Sequence, residues 1–127
     1  MIAAALVLMA ASPPTPEPSL VEDPDLRCVA AIAAVLGMAK DDKAADVQLL
    51  AGLTGIFMYY VSKVDARRPG FDYGRGLRQL VDSPGYEQRL PEDMKRCGDE
   101  AQERGAMLQD LGRAMKAAAP IGQSRSG

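Results

Sequence analysis

The chain has 127 residues, a formal net charge of −2, no histidine and no tryptophan, and aromatics make up only 5% of it. That length holds one domain, and the near-neutral charge with so few rings excludes the basic stripe or base-stacking platform of a dedicated nucleic-acid binder. The lack of histidine removes the commonest metal ligand, the usual general base near neutral pH and the centre of a Ser-His-Asp triad. The expectation is therefore a protein without metal or cofactor and not an enzyme. An enzyme here would have to work through Tyr, Lys or carboxylates. Alanine, leucine, methionine and glutamate are plentiful and β-branched residues sparse, which favours an all-α fold.

Residues 2–11 (IAAALVLMAA) form an uncharged apolar run, too short for a bilayer span of about 20 residues but suited to a signal-peptide core. Residues 1–11 are read as a leader and 12–22, with Pro13, Pro14, Pro16 and Pro18, as an extended disordered spacer. No Lys or Arg precedes the run, a feature that a start further upstream would supply, and Ala10-Ala11-Ser12 is the nearest approach to a cleavage site. No cysteine follows directly, so a lipoprotein anchor is not expected. The expected location is periplasmic or secreted.

Residues 23–119 read as the helical domain. Asp23 caps a first helix that opens with Pro24 and carries Cys28, Ile32, Val35, Leu36 and Ala39 on one face. After a turn at Lys40-Asp41-Asp42, a second helix runs from about residue 43 to 64. Its apolar residues lie nearly all round, which predicts a central position under several neighbours rather than a membrane span. Ala51 and Gly55 form a small pair that would let another helix come close. Asp65-Ala-Arg-Arg-Pro69-Gly70 ends it, Asp72 caps a short third helix with Tyr73, Leu77, Leu80 and Val81, and Ser83-Pro84-Gly85 breaks that one. A fourth helix is expected to begin at Pro91-Glu92-Asp93, with a seam of Met94, Cys97, Ala101, Leu108, Leu111, Met115 and Ala118. Gly98, Gly105 and Gly112 fall every seven residues beside that seam and predict close packing against another helix. Residues 120–127 read as a disordered tail.

Two cysteines in an exported chain predict a Cys28–Cys97 disulfide. The bundle then has three long or medium helices and one short one, with the first and fourth helices side by side and parallel. The alternative is two independent buried thiols. Closing a loop of about 70 residues would contribute on the order of 4 kcal/mol.

The densest polar cluster is Lys63, Asp65, Arg67, Arg68, Asp72, Tyr73, Arg75 and Arg78. Its cations Lys63, Arg67, Arg68, Arg75 and Arg78 form a candidate contact for an anion or a partner, and a solvated turn held by Asp65 and Asp72 is the plainer alternative. The carboxylate groups Asp41/Asp42, Glu92/Asp93 and Asp99/Glu100/Glu103 match no cation-binding loop and read as solvated helix surface. Of Tyr59 and Tyr60, one is expected in the core and the other lining a groove.

The stretches Phe57-Met-Tyr-Tyr-Val-Ser-Lys-Val-Asp-Ala-Arg-Arg-Pro69 and Arg96-Cys-Gly-Asp-Glu-Ala-Gln-Glu-Arg-Gly-Ala-Met-Leu108 resemble a group of small exported alphaproteobacterial proteins. Those combine a leader and an early Cys with an aromatic FY-x-GRL-x-GR-x-P stretch and a late RCG-x-E helix. Here Tyr60-Val61-Ser62-Lys63-Val64 stands where that group has Gly-Arg-Leu. The resemblance covers roughly residues 25–118 and implies compartment and architecture, not an activity. The expected function is a periplasmic binding or structural module with an unknown protein partner, no nucleic acid and no stable membrane span in the mature chain. A periplasmic stress chaperone is the alternative, by a fold-level analogy with small single-disulfide helical chaperones that no motif carries.

Overall fold

The computed structural model describes residues 18–118 apart from 43 and 45. The expected leader (1–11), most of the spacer (12–17) and the tail (120–127) lie outside the described residues. The described residues form α1 (Pro24–Asp41), α2 (Val47–Arg67), α3 (Tyr73–Val81) and α4 (Tyr86–Ala118), preceded by a 3₁₀ turn at Leu20–Glu22, with no strand among them. The fold is all-α.

Local chemistry explains most helix boundaries. The Asp23 carboxylate accepts from the N–H groups of Asp25 and Leu26 at 3.0 and 3.2 Å, ahead of Pro24 in the first helical position. Asp46 caps α2 through the Gln48 N–H at 2.9 Å, and Asp72 caps α3 through the Arg75 N–H at 3.0 Å. Gly70 (φ 73°) and Gly85 (φ 82°) take left-handed conformations in the turns after α2 and before α4, where a side chain would be strained.

Three expectations are corrected. The central element is the start of α1, not α2: residues 25–32 are all buried, whereas α2 buries only Tyr60 and Val64. An all-round apolar pattern does not reveal whether the chain's other helices reach it, and they cover α2 mainly at its last turns. By length and composition α2 could cross a membrane, and of its residues only Tyr60 and Val64 are buried. Second, α4 starts at Tyr86 and carries Pro91 in its interior. Burial of Tyr86, with its ring beside the Arg27 guanidinium, holds the turns ahead of the proline. Third, residues 18–22 are not a free spacer, since Leu20 packs on the core and the carbonyls of Pro18 and Val21 accept from Arg68 and Arg27.

The disulfide joins Cys28 and Cys97 with Cα atoms 5.6 Å apart, both side chains fully buried. It does not align α1 and α4 side by side. Because α4 begins eleven residues before Cys97, the bridge sits well inside the helix, and α4 has length on both sides of it. Pro24 meets Arg96, while Ala30, Ala33 and Ala34, beyond Cys28 on α1, border Tyr86 and Leu90, before Cys97 on α4. The helices therefore cross at the bridge. Beyond Cys97 no α4 residue is buried, so Leu108, Leu111, Met115 and Ala118 of the expected seam lie exposed. The molecule has a packed end, built from the start of α1, the end of α2, α3 and the start of α4. Its open end holds the end of α1, the start of α2 and the last five turns of α4.

Candidate interaction site

At the packed end, Lys63 and Arg67 lie one turn apart on α2 and face the acids at the start of α1, the cap Asp23 and the first-turn Asp25. Lys63 Nζ is 2.8 Å from Asp25 Oδ1 and 2.7 Å from Glu100 Oε1 of α4. Arg67 Nη2 is 2.8 Å from Asp23 Oδ1 and 2.7 Å from Asp25 Oδ2. Arg68 Nε is 3.0 Å from Asp23 Oδ2. Three cations thus meet three carboxylates, leaving no excess positive charge for an external anion. Arg75 and Arg78 are exposed on α3, with Arg78 Nε donating to its own helix at Gly74 O. Of the five cations grouped from the sequence, Lys63, Arg67 and Arg68 are engaged by acids, because the antiparallel α1–α2 pairing places the start of α1 opposite them.

Glu100 is the hub of the belt. It accepts from the Tyr59 hydroxyl at 3.0 Å, and its second oxygen lies 3.2 Å from the Tyr60 hydroxyl, which is also 2.8 Å from the Cys97 carbonyl. Burial alone would raise the Glu100 carboxyl, but hydrogen bonds from Lys63, Tyr59 and Tyr60 outweigh it and hold the group below its usual range. Asp23 behaves alike: burial opposes ionisation, and donors from Arg67, the Leu26 N–H and Arg68 prevail. Burial would lower the Lys63 ammonium, yet its bonds to Asp25 and Glu100 push it up. Tyr60 is driven well above the usual phenol range by burial and then by the Glu100 charge.

A second pair lies deeper. Arg27, 2% exposed, places Nε 2.8 Å from Asp93 Oδ2 and donates from Nη1 to Val21 O at 3.0 Å. Its Nη2 is 2.7 Å from the same Asp93 oxygen, an ion-pair contact outside hydrogen-bond alignment. Asp93 and Glu100, read from the sequence as solvated surface, therefore turn inward. The missed signal was the register itself: Arg27 adjoins Cys28 and Asp93 lies one turn before Cys97, so the bridge brings them together. Among the described residues no group of His, Cys, Asp and Glu is arranged to hold a metal.

The open end is apolar. A groove of about 210 Å³ runs between Gly52, Gly55, Ile56 and Tyr59 of α2 and Ala101, Arg104, Gly105 and Leu108 of α4. Tyr60 is in the core and Tyr59 lines this groove, as the sequence suggests. Close helix packing at the small residues is not formed among the described residues. Ala51 is exposed, and a Cβ added at Gly55, Gly98, Gly105 or Gly112 would meet nothing within 4 Å. The glycine faces of α2 and α4 look toward one another across open space.

Compared with protein-family models, with curated proteins and with solved structures, the chain matches none.

Proposed function

We propose that this chain is an exported, non-enzymatic binding module whose packed end is a rigid base and whose open end meets a protein partner in the periplasm. One observation carries the reading: large apolar side chains crowd the open end without cover from the other described residues. Val47 is 78% exposed and Leu108 61%, and Leu49, Leu111, Met107 and Met115 are each at least half exposed. Contiguous exposed apolar surface on a soluble domain marks an interaction site. The belt at the other end supports the same division of labour, since its charges are engaged with one another. A buried disulfide fits an oxidising compartment.

The test is site-specific photo-crosslinking in the native compartment, with the probe at Leu108 or Leu49 and a control at Gln79 on the exposed side of α3. The reading expects adducts from the first two positions above the control. Equal, background labelling at all three removes it.

A second reading has its own support. All five methionines outside the leader, Met38, Met58, Met94, Met107 and Met115, are exposed rather than filling the core. Flexible, polarizable Met surfaces suit promiscuous contacts, as a stress chaperone would need. Suppression of client aggregation at low pH supports that role, and no suppression at excess protein eliminates it.

A further inference from the structure

We propose that the partner covering the open face is a second copy of this chain, through antiparallel pairing of the two α4 helices from Gly98 to Ala118. The proposal rests on the binding reading above and names the occupant of that surface.

Every α4 residue after Gly105 is exposed, and Leu108, Leu111 and Met115 line one side of it. A helix standing alone in water is marginal, so this segment gains from a cover that the other described residues do not supply. Gly98, Ala101, Gly105, Leu108, Gly112 and Met115 repeat at three and four residues, the spacing of a paired-helix seam. When two such seams run antiparallel, Gly98 falls opposite Met115, Gly105 opposite Leu108 and Gly112 opposite Ala101 of the other copy. Each glycine then receives a side chain of the other copy, in space that the described residues leave open before it.

Charge fixes the direction. Beside Glu100, which Lys63 and the two tyrosines already hold, the first part of the segment carries Asp99, Glu103 and Arg104 and the last part Asp110, Arg113 and Lys116, so the first part is net acidic and the last part net basic. Antiparallel alignment sets each acidic end beside a basic one, whereas parallel alignment places like beside like. A lipid surface fits less well, because such helices carry mostly Lys and Arg on their polar face, and this segment holds Asp99, Glu100, Glu103 and Asp110 against Arg104, Arg113 and Lys116. The paired stretch is ~31 Å long and, with the adjoining start of α2, ~20 Å wide, the scale of the ~800 Å² per partner found in stable interfaces.

The test uses the full, oxidised chain in sedimentation equilibrium and in pulsed electron–electron distance measurements. We expect twice the chain mass at micromolar concentration. Leu108→Glu or Leu111→Glu should each return it to the single mass while the packed end around Cys28 and Cys97 stays folded, since both side chains are exposed. Nitroxides on Gln109→Cys should lie about 15 Å apart and those on Ala118→Cys about 35 Å apart in the antiparallel pair, whereas a parallel pair holds both near 15 Å. Short distances at both sites overturn the arrangement. A single-chain mass up to near-millimolar concentration overturns self-association. If that monomer still crosslinks to another protein from Leu108, the binding reading survives without this partner. If it crosslinks to nothing, both fall, and if it instead floats with anionic vesicles, the face belongs to a membrane surface.

Discussion

Arg27 and Asp93 hold opposite charges in the interior, and such a pair is costly to break rather than strongly stabilising. Asp93→Ala strands a buried guanidinium and should lower stability by about 3–5 kcal/mol in urea denaturation. The double replacement Arg27→Met with Asp93→Leu should recover most of that loss; a double variant no better than Asp93→Ala contradicts the account. The glycines divide by what stands in front of them. A Cβ at Gly76 would sit 2.2 Å from the Phe71 ring tip. That ring packs edge-on against Tyr73 and lies beside Arg68, so Gly76→Ala should destabilise by about 1 kcal/mol despite the better helix former. Gly112→Ala meets open space and should stabilise the dilute chain by roughly 0.5–1 kcal/mol, read as a higher thermal midpoint. At concentrations where the chain pairs, the same change should weaken association, because the added methyl pushes the helices apart.

The belt joining α1, α2 and α4 sets the pH range over which these elements stay locked. Asp23 and Glu100 have folded values below their ordinary 3.8 and 4.5. Their contribution is therefore complete above those values and lost as pH falls through the lower folded ones. Lys63 is raised above 10.5, and its contribution is complete below that value and lost above it. Tyr60, Tyr73 and Tyr86 are raised above 10.0, mainly by burial, so the folded state keeps them neutral and weakens as pH climbs past that value. Urea midpoints should be flat from about pH 5 to about pH 10 and fall on both sides. Glu100→Gln should shrink the acid limb, and an unchanged limb contradicts the role given to Glu100. Much of this element structure is legible in the sequence: the Asp23-Pro24 and Asp72 caps, the break at Ser83–Gly85 and four helices. The start of α4 is not, since Pro91 is a local stop signal and Tyr86 overrides it by packing on α1. The belt escaped notice because Asp25 and Lys63 are 38 residues apart, and only the antiparallel pairing of their helices unites them. The inward turn of Asp93 and Glu100 escaped for the same reason, as charge pattern alone places carboxylates outside.

At the scale of the whole molecule, the disulfide closes a loop between residues 69 apart in sequence and ties the two helices that cross in the core. Cys28→Ala with Cys97→Ala should lower stability by about 4 kcal/mol, with loss measured first in the packed end, where α1 and α4 are joined. The same bridge leaves the last five turns of α4 untethered, which is why one small chain combines a locked base with an uncovered apolar arm. The three- and four-residue repeat of apolar positions made that arm look like core, because a sequence pattern marks surface that prefers cover without saying what provides it. Site-resolved hydrogen exchange measures this division most directly, comparing residues 26–32 with residues 106–118 in dilute and concentrated protein. The account predicts that amides of 26–32 open only with global unfolding at both concentrations. Those of 106–118 should exchange far faster when dilute and become protected when concentrated. Equal protection of the two segments in dilute solution would contradict it.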